Sequence, residues 1–172
     1  GNRQISAEPT STLSAGVYIG EEGYLVPLTA EGTIYYTTDG SDPTAKSKKY
    51  SEPIQISKST VLRAVSIEDG KMISDVYTAT FLVEKPHSIP VISLVTDPDN
   101  LWGSNGIYKS GDITIKEEIR PVNFSYSGED GSFSIDCEMK LHGATTVKAF
   151  SKKSFGLHFR DSYDGPLDYD IF

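Results

Sequence analysis

The chain has 172 residues, a net charge of −8 and a pI near 4.8. Hydrophobic residues make up 37% of it, and no apolar run reaches the ~20 residues of a membrane-spanning helix. The acidity argues against nucleic acid or an anionic membrane as the main partner. The single cysteine, Cys137, excludes a disulfide framework and a cysteine-based zinc site. Because Cys137 alternates with Met139 and Leu141, it is predicted to be a small buried hydrophobe.

Strand patterns fill the first half of the chain. Residues 33–38 are β-branched or aromatic and run into turn-forming residues at 39–43, which predicts a strand ending in a tight turn. Residues 60–67 are apolar on both faces apart from Arg63 and Ser66, which is typical of a central strand.

Residues 77–83 alternate between larger apolar side chains and threonines, which predicts a sheet with one buried face. The inward row is Tyr77, Ala79, Phe81 and Val83, and the outward row contains Thr78 and Thr80. Turn residues recur about every ten positions across this half, and such spacing of short strands indicates a β-sandwich.

A boundary is predicted at residues 84–90, where two prolines, Pro86 and Pro90, interrupt the strand ladder. A strand restarts at residues 90–96. It is followed by a long polar stretch, residues 97–118, which is expected to be a structureless loop of a kind that is often functional.

The strands then resume with strict alternation, so the second half is predicted to be mainly an antiparallel sheet with one apolar face. An Asp-Gly step at residues 130–131 suits a tight hairpin turn. The inward rows are Val122, Phe124 and Tyr126, then Cys137, Met139 and Leu141, then Phe155, Leu157 and Phe159. The outward positions are Asn123, Ser125, Asp136, Glu138, Lys140 and His142.

The first half also carries a specific motif series, running through 33–44, Tyr50, 53–54, 60–65, 69–70, 74–75 and 78–81. This series resembles the chitobiase/β-hexosaminidase C-terminal-type domain, over about residues 7–85. The resemblance implies an immunoglobulin-like or fibronectin-III-like sandwich that serves as an accessory module in secreted bacterial proteins.

A second series of motifs occurs in order at 90–102, 106–108, 120–122, 141–143, 152–155, 159–160 and 168–172. It resembles the N-terminal part of the CotH family, the spore-coat-H-type atypical kinases, over residues 90–172. The resemblance implies the strand-rich lobe of a kinase that uses ATP with Mg or Mn. The catalytic aspartates would lie beyond Phe172, so no catalytic residue is expected within these 172 residues.

A kinase-like lobe needs a cation on a strand to offset the charge of the nucleotide's phosphates. By resemblance, Lys153 is the first candidate for that role, with Lys152 beside it and Lys148 a few residues upstream. The alternative is that the lysine pair is only the solvated start of an alternating strand.

Two further kinds of site are open. Asp39 and Asp42, with the hydroxyls of Thr38 and Ser41, could hold a calcium ion, but the same residues also suit a tight turn in which Gly40 takes positive φ. The same two interpretations apply to Asp97, Asp99 and Asn100.

The aromatic side chains could stack on sugars or face the core, and this applies to Tyr18, Tyr24, Tyr35, Tyr36 and Tyr50. Trp102 is the ligand-binding candidate, because it lies in the long polar stretch. The three histidines, His87, His142 and His158, are scattered, and no Walker loop, nucleophile elbow or paired-histidine motif is present.

Taken together, these patterns predict a mainly β chain: an Ig/FN3-like antiparallel β-sandwich followed by a β-rich partial kinase-like N-lobe. The predicted division is a leading segment 1–6, a sandwich 7–85, a linker 86–89 and a kinase-like portion 90–172. The parent protein is expected to be extracellular, at the cell surface or in the spore coat of a bacterium. It would be a monomer without membrane insertion, acting on a protein substrate. The alternative function is a non-catalytic module that binds carbohydrate or cell-wall polysaccharide.

Overall fold

The computed structural model describes residues 4–18, 23–83, 89–104, 106–108, 119–128, 131–143, 152 and 154–160. The described part is mainly β, as predicted, and contains one short helix. Its elements in chain order are β1 (Gly16–Tyr18), β2 (Tyr24–Val26), β3 (Thr33–Thr37), β4 (Lys48–Lys49), β5 (Ile54–Ile56), β6 (Thr60–Ile67), β7 (Tyr77–Val83), β8 (Val91–Val95), α1 (Pro98–Trp102), β9 (Arg120–Gly128), β10 (Gly131–His142) and β11 (Ser154–His158).

The first seven strands form two sheets. The larger sheet has the order β1-β7-β6-β3-β4, and β2 pairs with β5 in the smaller one. Strand β6 lies between β7 and β3, as the two-sided apolar pattern predicted, with Leu62 opposite Ala79 and Tyr35 opposite Val65. All pairs are antiparallel except β1 with β7, which run parallel from Gly16 opposite Phe81.

The hydrophobic core lies between these two sheets, which makes this part a β-sandwich. Each core strand contributes alternate residues, because successive side chains of a strand point to opposite faces. The predicted row on β7 is confirmed: Ala79 and Phe81 are fully buried, and Tyr77 and Val83 are half-buried against the same cluster. The buried members of the core are Val26, Leu28, Ile34, Tyr36, Ile54, Ile56, Leu62, Ala64, Ala79 and Phe81.

The prediction of a single buried face on β7 was wrong. Thr78 and Thr80, on the other face, are buried as well. Their hydroxyls are hydrogen-bonded, since Thr78 accepts from Arg63 Nε at 3.3 Å and Thr80 Oγ1 lies 3.1 Å from Ser93 Oγ. Polar groups with hydrogen-bond partners can be buried at little cost, so alternation alone does not show which polar face meets solvent.

The remaining strands form a four-stranded sheet in the order β11-β10-β9-β8. Strands β10 and β11 are antiparallel, and their register pairs Met139 with Leu157 and Leu141 with Phe155. The apolar row is confirmed on β9 and β10, where all six predicted side chains are buried, while Phe155 and Leu157 on β11 and Phe159 just after it are half-buried. Cys137 is fully buried, as predicted.

The polar face of this sheet is also buried in places, which the alternation pattern did not predict. Asn123, Ser125 and Glu138 are among its buried residues. Across the β9–β10 hairpin, Asn123 Nδ2 donates to Asp136 Oδ1 at 2.8 Å, and Ser125 Oγ donates to Ser134 Oγ at 3.1 Å. Such cross-strand pairs let part of the polar row lose contact with water.

The long polar stretch is not structureless, because it begins with the helix α1. Asp97 caps this helix by accepting a hydrogen bond from Asp99 N at 2.8 Å, and Pro98 occupies its first turn. Both residue types favour helix initiation at these positions. Residues 109–118 of the stretch lie outside the described part.

The chain divides into two compact units, residues 1–93 with 125–134, and residues 94–124 with 135–172. The predicted linker 86–89 falls almost wholly outside the described residues. No helix in the described ranges is long and apolar enough to cross a membrane.

Candidate functional site

The turn after β3 is closed by its own hydroxyl and carboxylate groups. Asp39 Oδ1 accepts from Ser41 N at 3.1 Å and from Ser41 Oγ at 2.6 Å, while Thr37 Oγ1 donates to Ser41 O at 2.7 Å. Gly40 has φ of 85°, which favours glycine, as the turn interpretation predicted. These contacts are those of a tight turn.

Arg63 ties this turn to the centre of the larger sheet. Its buried guanidinium forms an ion pair with Asp42, and it also donates to Gly40 O at 3.1 Å and to Thr78 Oγ1 at 3.3 Å. Asp42 is half exposed, with 52% of its side chain open to solvent against 10% for Arg63. The two clearest parts of the sequence motif, the Asp-Gly-Ser-Asp-Pro turn and the arginine of the central strand, therefore form one structural unit.

This geometry does not support the alternative interpretation of Asp39 and Asp42 as calcium ligands. The carboxylate of Asp39 accepts hydrogen bonds from Ser41, and the carboxylate of Asp42 forms an ion pair with Arg63. Within the described ranges, no group of three or more histidine, cysteine, aspartate or glutamate side chains is placed to hold a metal ion. The pairing of Asp42 with Arg63 was missed at the sequence level. The available signal was a lone arginine in an otherwise apolar strand.

Hydrogen bonds shift the pKa values of several exposed groups in the sandwich. The hydroxyl and backbone N–H of Ser41 lower the pKa of Asp39 below its usual 3.8. The ion pair with Lys71, and a hydrogen bond from Ala7 N, lower the pKa of Glu68. Lys48 lies 5.4 Å from the centroid of the Tyr36 ring, and a hydrogen bond with Tyr36 raises the pKa of Lys48.

Of the three phosphate-binding candidates, only Lys152 is described. It is exposed and stands two residues before β11. Lys148 and Lys153 lie outside the described residues.

The other ligand-binding candidate, Trp102, is the last residue of α1 and is 56% exposed. Its ring centroid lies 4.3 Å from that of Tyr108, and the Tyr108 ring lies 6.1 Å from that of Phe155 on β11. The backbone folds back beneath the helix, because Ile107 N donates to Asn100 O and Tyr108 N to Leu101 O, both at 3.0 Å. Trp102 is thus exposed, but backbone hydrogen bonds hold the segment that carries it.

A second polar cluster, which alternation treated as outward-facing, lies on β10 and β11. Glu138 is only 5% exposed and stands opposite His158 in the strand register. Arg160 Nε approaches Glu138 Oε2 to 3.0 Å, which is an ion-pair contact without hydrogen-bonding geometry. His158 Nε2 is likewise buried without a hydrogen bond in the described part. The charge of Arg160 offsets that of the buried carboxylate, so Glu138 is accounted for as one member of an ion pair.

Comparison with known proteins bears on the first half of the chain. A family model described as Fn3 associated matches residues 26–81. No curated protein and no solved structure gives a significant match to the chain. The matched range extends from the end of β2 into β7 and includes both the turn at 39–43 and Arg63. Residues 26–81 are therefore similar to the Fn3-associated family, in agreement with the predicted fibronectin-III-like type of sandwich.

Proposed function

We propose that this chain combines an accessory β-sandwich with the strand-rich part of a CotH-like kinase lobe. The parent protein would transfer phosphate from ATP to a protein. In this proposal the sandwich is a non-catalytic spacer or binding module of the chitobiase/β-hexosaminidase C-terminal type. The lobe contributes cations that contact the nucleotide's phosphates.

The observation that carries the proposal is the series of CotH-like motifs between residues 90 and 172, parts of which lie on β8 to β11. The four-stranded sheet β11-β10-β9-β8, in which β10 and β11 are antiparallel, is compatible with a strand-rich lobe and supports the proposal to that extent. The lysine pair immediately precedes β11, and its described member, Lys152, is exposed to solvent. A cation in that position is accessible to an anionic ligand.

The proposed role of these lysines is electrostatic. Phosphoryl transfer needs fixed positive charge beside the phosphates, because negative charge must be offset where the bond breaks. Lys153, with Lys152 and Lys148 as its neighbours in sequence, would supply that charge. ATP with Mg or Mn is the cofactor implied. The role that we assign to this chain is contact with the phosphates.

The proposed setting follows the same resemblances. Both families occur in secreted or surface proteins, so we place the parent outside the cell, on the cell surface or in the spore coat of a bacterium. Its partner would be a protein substrate rather than nucleic acid, since the chain carries a net charge of −8.

The test is phosphate transfer by the full-length parent carrying Lys153→Ala, with Lys152→Ala and Lys49→Ala as companions. Lys49 is an exposed lysine on the edge strand β4 of the sandwich and serves as the matched control. We expect Lys153→Ala to lower the rate by roughly 10²-fold, as loss of a transition-state charge contact does. Its free energy of unfolding should stay within about 0.5 kcal/mol of wild type. Equal activity in the Lys153 and Lys49 variants would overturn the assignment.

A further inference from the structure

The chain's only tryptophan, Trp102, is exposed, and hydrogen bonds of the surrounding backbone fix its position. Tryptophan is highly buried on average, so an indole that is 56% open to solvent is an informative feature. A large flat apolar ring in water carries an unfavourable hydration free energy that a ligand can relieve.

Trp102 is fixed at both ends of its helical turn. Asp97 caps the start of α1, and Gly103 N donates to Asp99 O at 3.0 Å at its end. The following chain packs so closely that a Cβ on Gly106 would lie 2.4 Å from Leu101 O. Beyond it, Ile107 is fully buried. A binding group that is already ordered loses less entropy when the ligand arrives.

A neighbouring ring orients the indole. The Tyr108 ring is tilted by 53° to that of Trp102, and Tyr108 in turn contacts Phe155. Tyr108 thus packs between Trp102 and Phe155 of the sheet, while Trp102 stays 56% open to solvent. The arrangement is a supported aromatic platform, defined here as Trp102 with Tyr108 beneath it.

The polar neighbour of this platform is Asp99. It is exposed and precedes Trp102 by three residues, and residues three apart lie on the same side of a helix. Its carboxylate can accept hydrogen bonds from hydroxyl groups, whereas the indole can cover only an apolar face. A pyranose ring with equatorial hydroxyls has both features, a flat face of C–H groups and a rim of O–H donors.

The negative charge of the site disfavours anionic ligands that could also stack on an aromatic ring. A carboxylate beside the ring, on a chain with a net charge of −8, repels nucleotides and acidic saccharides. We propose that Trp102 and Asp99 form a subsite for a neutral β-linked polysaccharide, with one pyranose ring stacked on the indole. This binding does not depend on phosphate transfer by the parent.

The unique tryptophan gives a direct readout, because all indole fluorescence of the chain comes from Trp102. We would titrate the 172-residue chain with cellohexaose, with chitohexaose and, separately, with ATP–Mg. The expected result is a saturable change of intensity or a blue shift with at least one hexaose, with Kd on the order of 0.1–1 mM. A flat titration with both hexaoses overturns the proposal, as does a response to ATP–Mg alone.

Variants assign the response to the platform, with affinity measured by calorimetry because Trp102→Ala lacks the indole fluorophore. Trp102→Ala should weaken hexaose binding by at least ~10-fold, while Trp102→Phe, which keeps a flat ring, should retain a measurable share. Asp99→Asn should weaken binding less, and Leu25→Ala, an equally exposed apolar residue in the sandwich, should bind as wild type. Unchanged binding in Trp102→Ala contradicts the proposal.

A separate measurement keeps this test independent of folding and of the kinase proposal. Because Trp102 is exposed, its alanine variant should melt within about 2 °C of wild type. The Lys153→Ala variant should bind hexaose as wild type does. Loss of hexaose binding in Lys153→Ala would show that the saccharide response arises elsewhere and would overturn the platform assignment.

Discussion

At the residue scale, Arg63 connects the local turn chemistry to the core. A buried guanidinium requires partners for its charge and its N–H groups, and Asp42, Gly40 O and Thr78 provide them. Asp42 is 21 residues away in sequence, so no local pattern could identify it as the partner. The turn itself was predictable, because Asp, Gly and Ser form such turns through short-range hydrogen bonds.

Replacing Asp42 with asparagine tests this connection. Asp42→Asn should lower the free energy of unfolding by about 1–2 kcal/mol, because Arg63 loses its countercharge while remaining buried. The half-exposed position of Asp42 keeps the loss below that of a fully buried pair. Urea unfolding gives the value. Asp69→Asn, at an exposed acid in the turn after β6, should change it by less than about 0.5 kcal/mol, and equal losses in both variants would contradict the role of Arg63.

The lowered pKa of Asp39 predicts a dependence of stability on acid. A carboxyl whose folded pKa lies below its unfolded value stabilises the fold above the unfolded pKa, here 3.8, and loses that contribution as pH falls through the folded pKa. Glu68 acts in the same direction below its usual 4.5. Asp39→Asn and Ser41→Ala should both flatten the fall in melting temperature between about pH 5 and pH 3. A wild-type slope in both variants would contradict this origin of the effect.

At the scale of elements, hydrophobic periodicity predicted the positions of the strands better than the burial of their polar faces. Residues 60–67 were predicted as a central strand and form β6 with those limits, and the buried row on β7 was correctly identified. The burial of polar faces was missed on β7, β9 and β10. Periodicity states which residues share a face, but hydrogen bonds to other strands decide whether a polar face can be buried.

Truncation of Phe81 tests the predicted face of β7. Phe81 is fully buried in the cluster between the two sheets of the sandwich, so Phe81→Ala should lower the free energy of unfolding by about 3–5 kcal/mol. Leu25→Ala, at an apolar side chain that is 61% exposed on β2, is the matched control and should be close to neutral. Denaturant unfolding of both variants gives the comparison, and similar small losses would place the core elsewhere.

At the scale of the whole molecule, the two halves differ in how far the sequence could be interpreted. Three observations support the assignment of the sandwich: a long motif series, a matching family model over residues 26–81 and a buried core. The second half has the predicted strands and apolar rows. Its proposed function depends on Lys153, Lys152 and Lys148, of which the structure describes only Lys152. Local patterns predict strands, but they do not show which cations of a chain come together to bind a phosphate.

The central proposal is that this chain supplies phosphate-binding cations to a kinase, while the groups that carry out transfer are not among these 172 residues. Incubation of the 172-residue chain with γ-labelled ATP and Mg or Mn tests it most directly. Transfer needs a metal-holding carboxylate and a residue that orients the nucleophile in addition to the cations. We therefore expect no phosphate incorporation and only weak binding of ATP–Mg. Stoichiometric labelling that disappears in Lys153→Ala would show that the catalytic groups lie within these residues and would contradict the account.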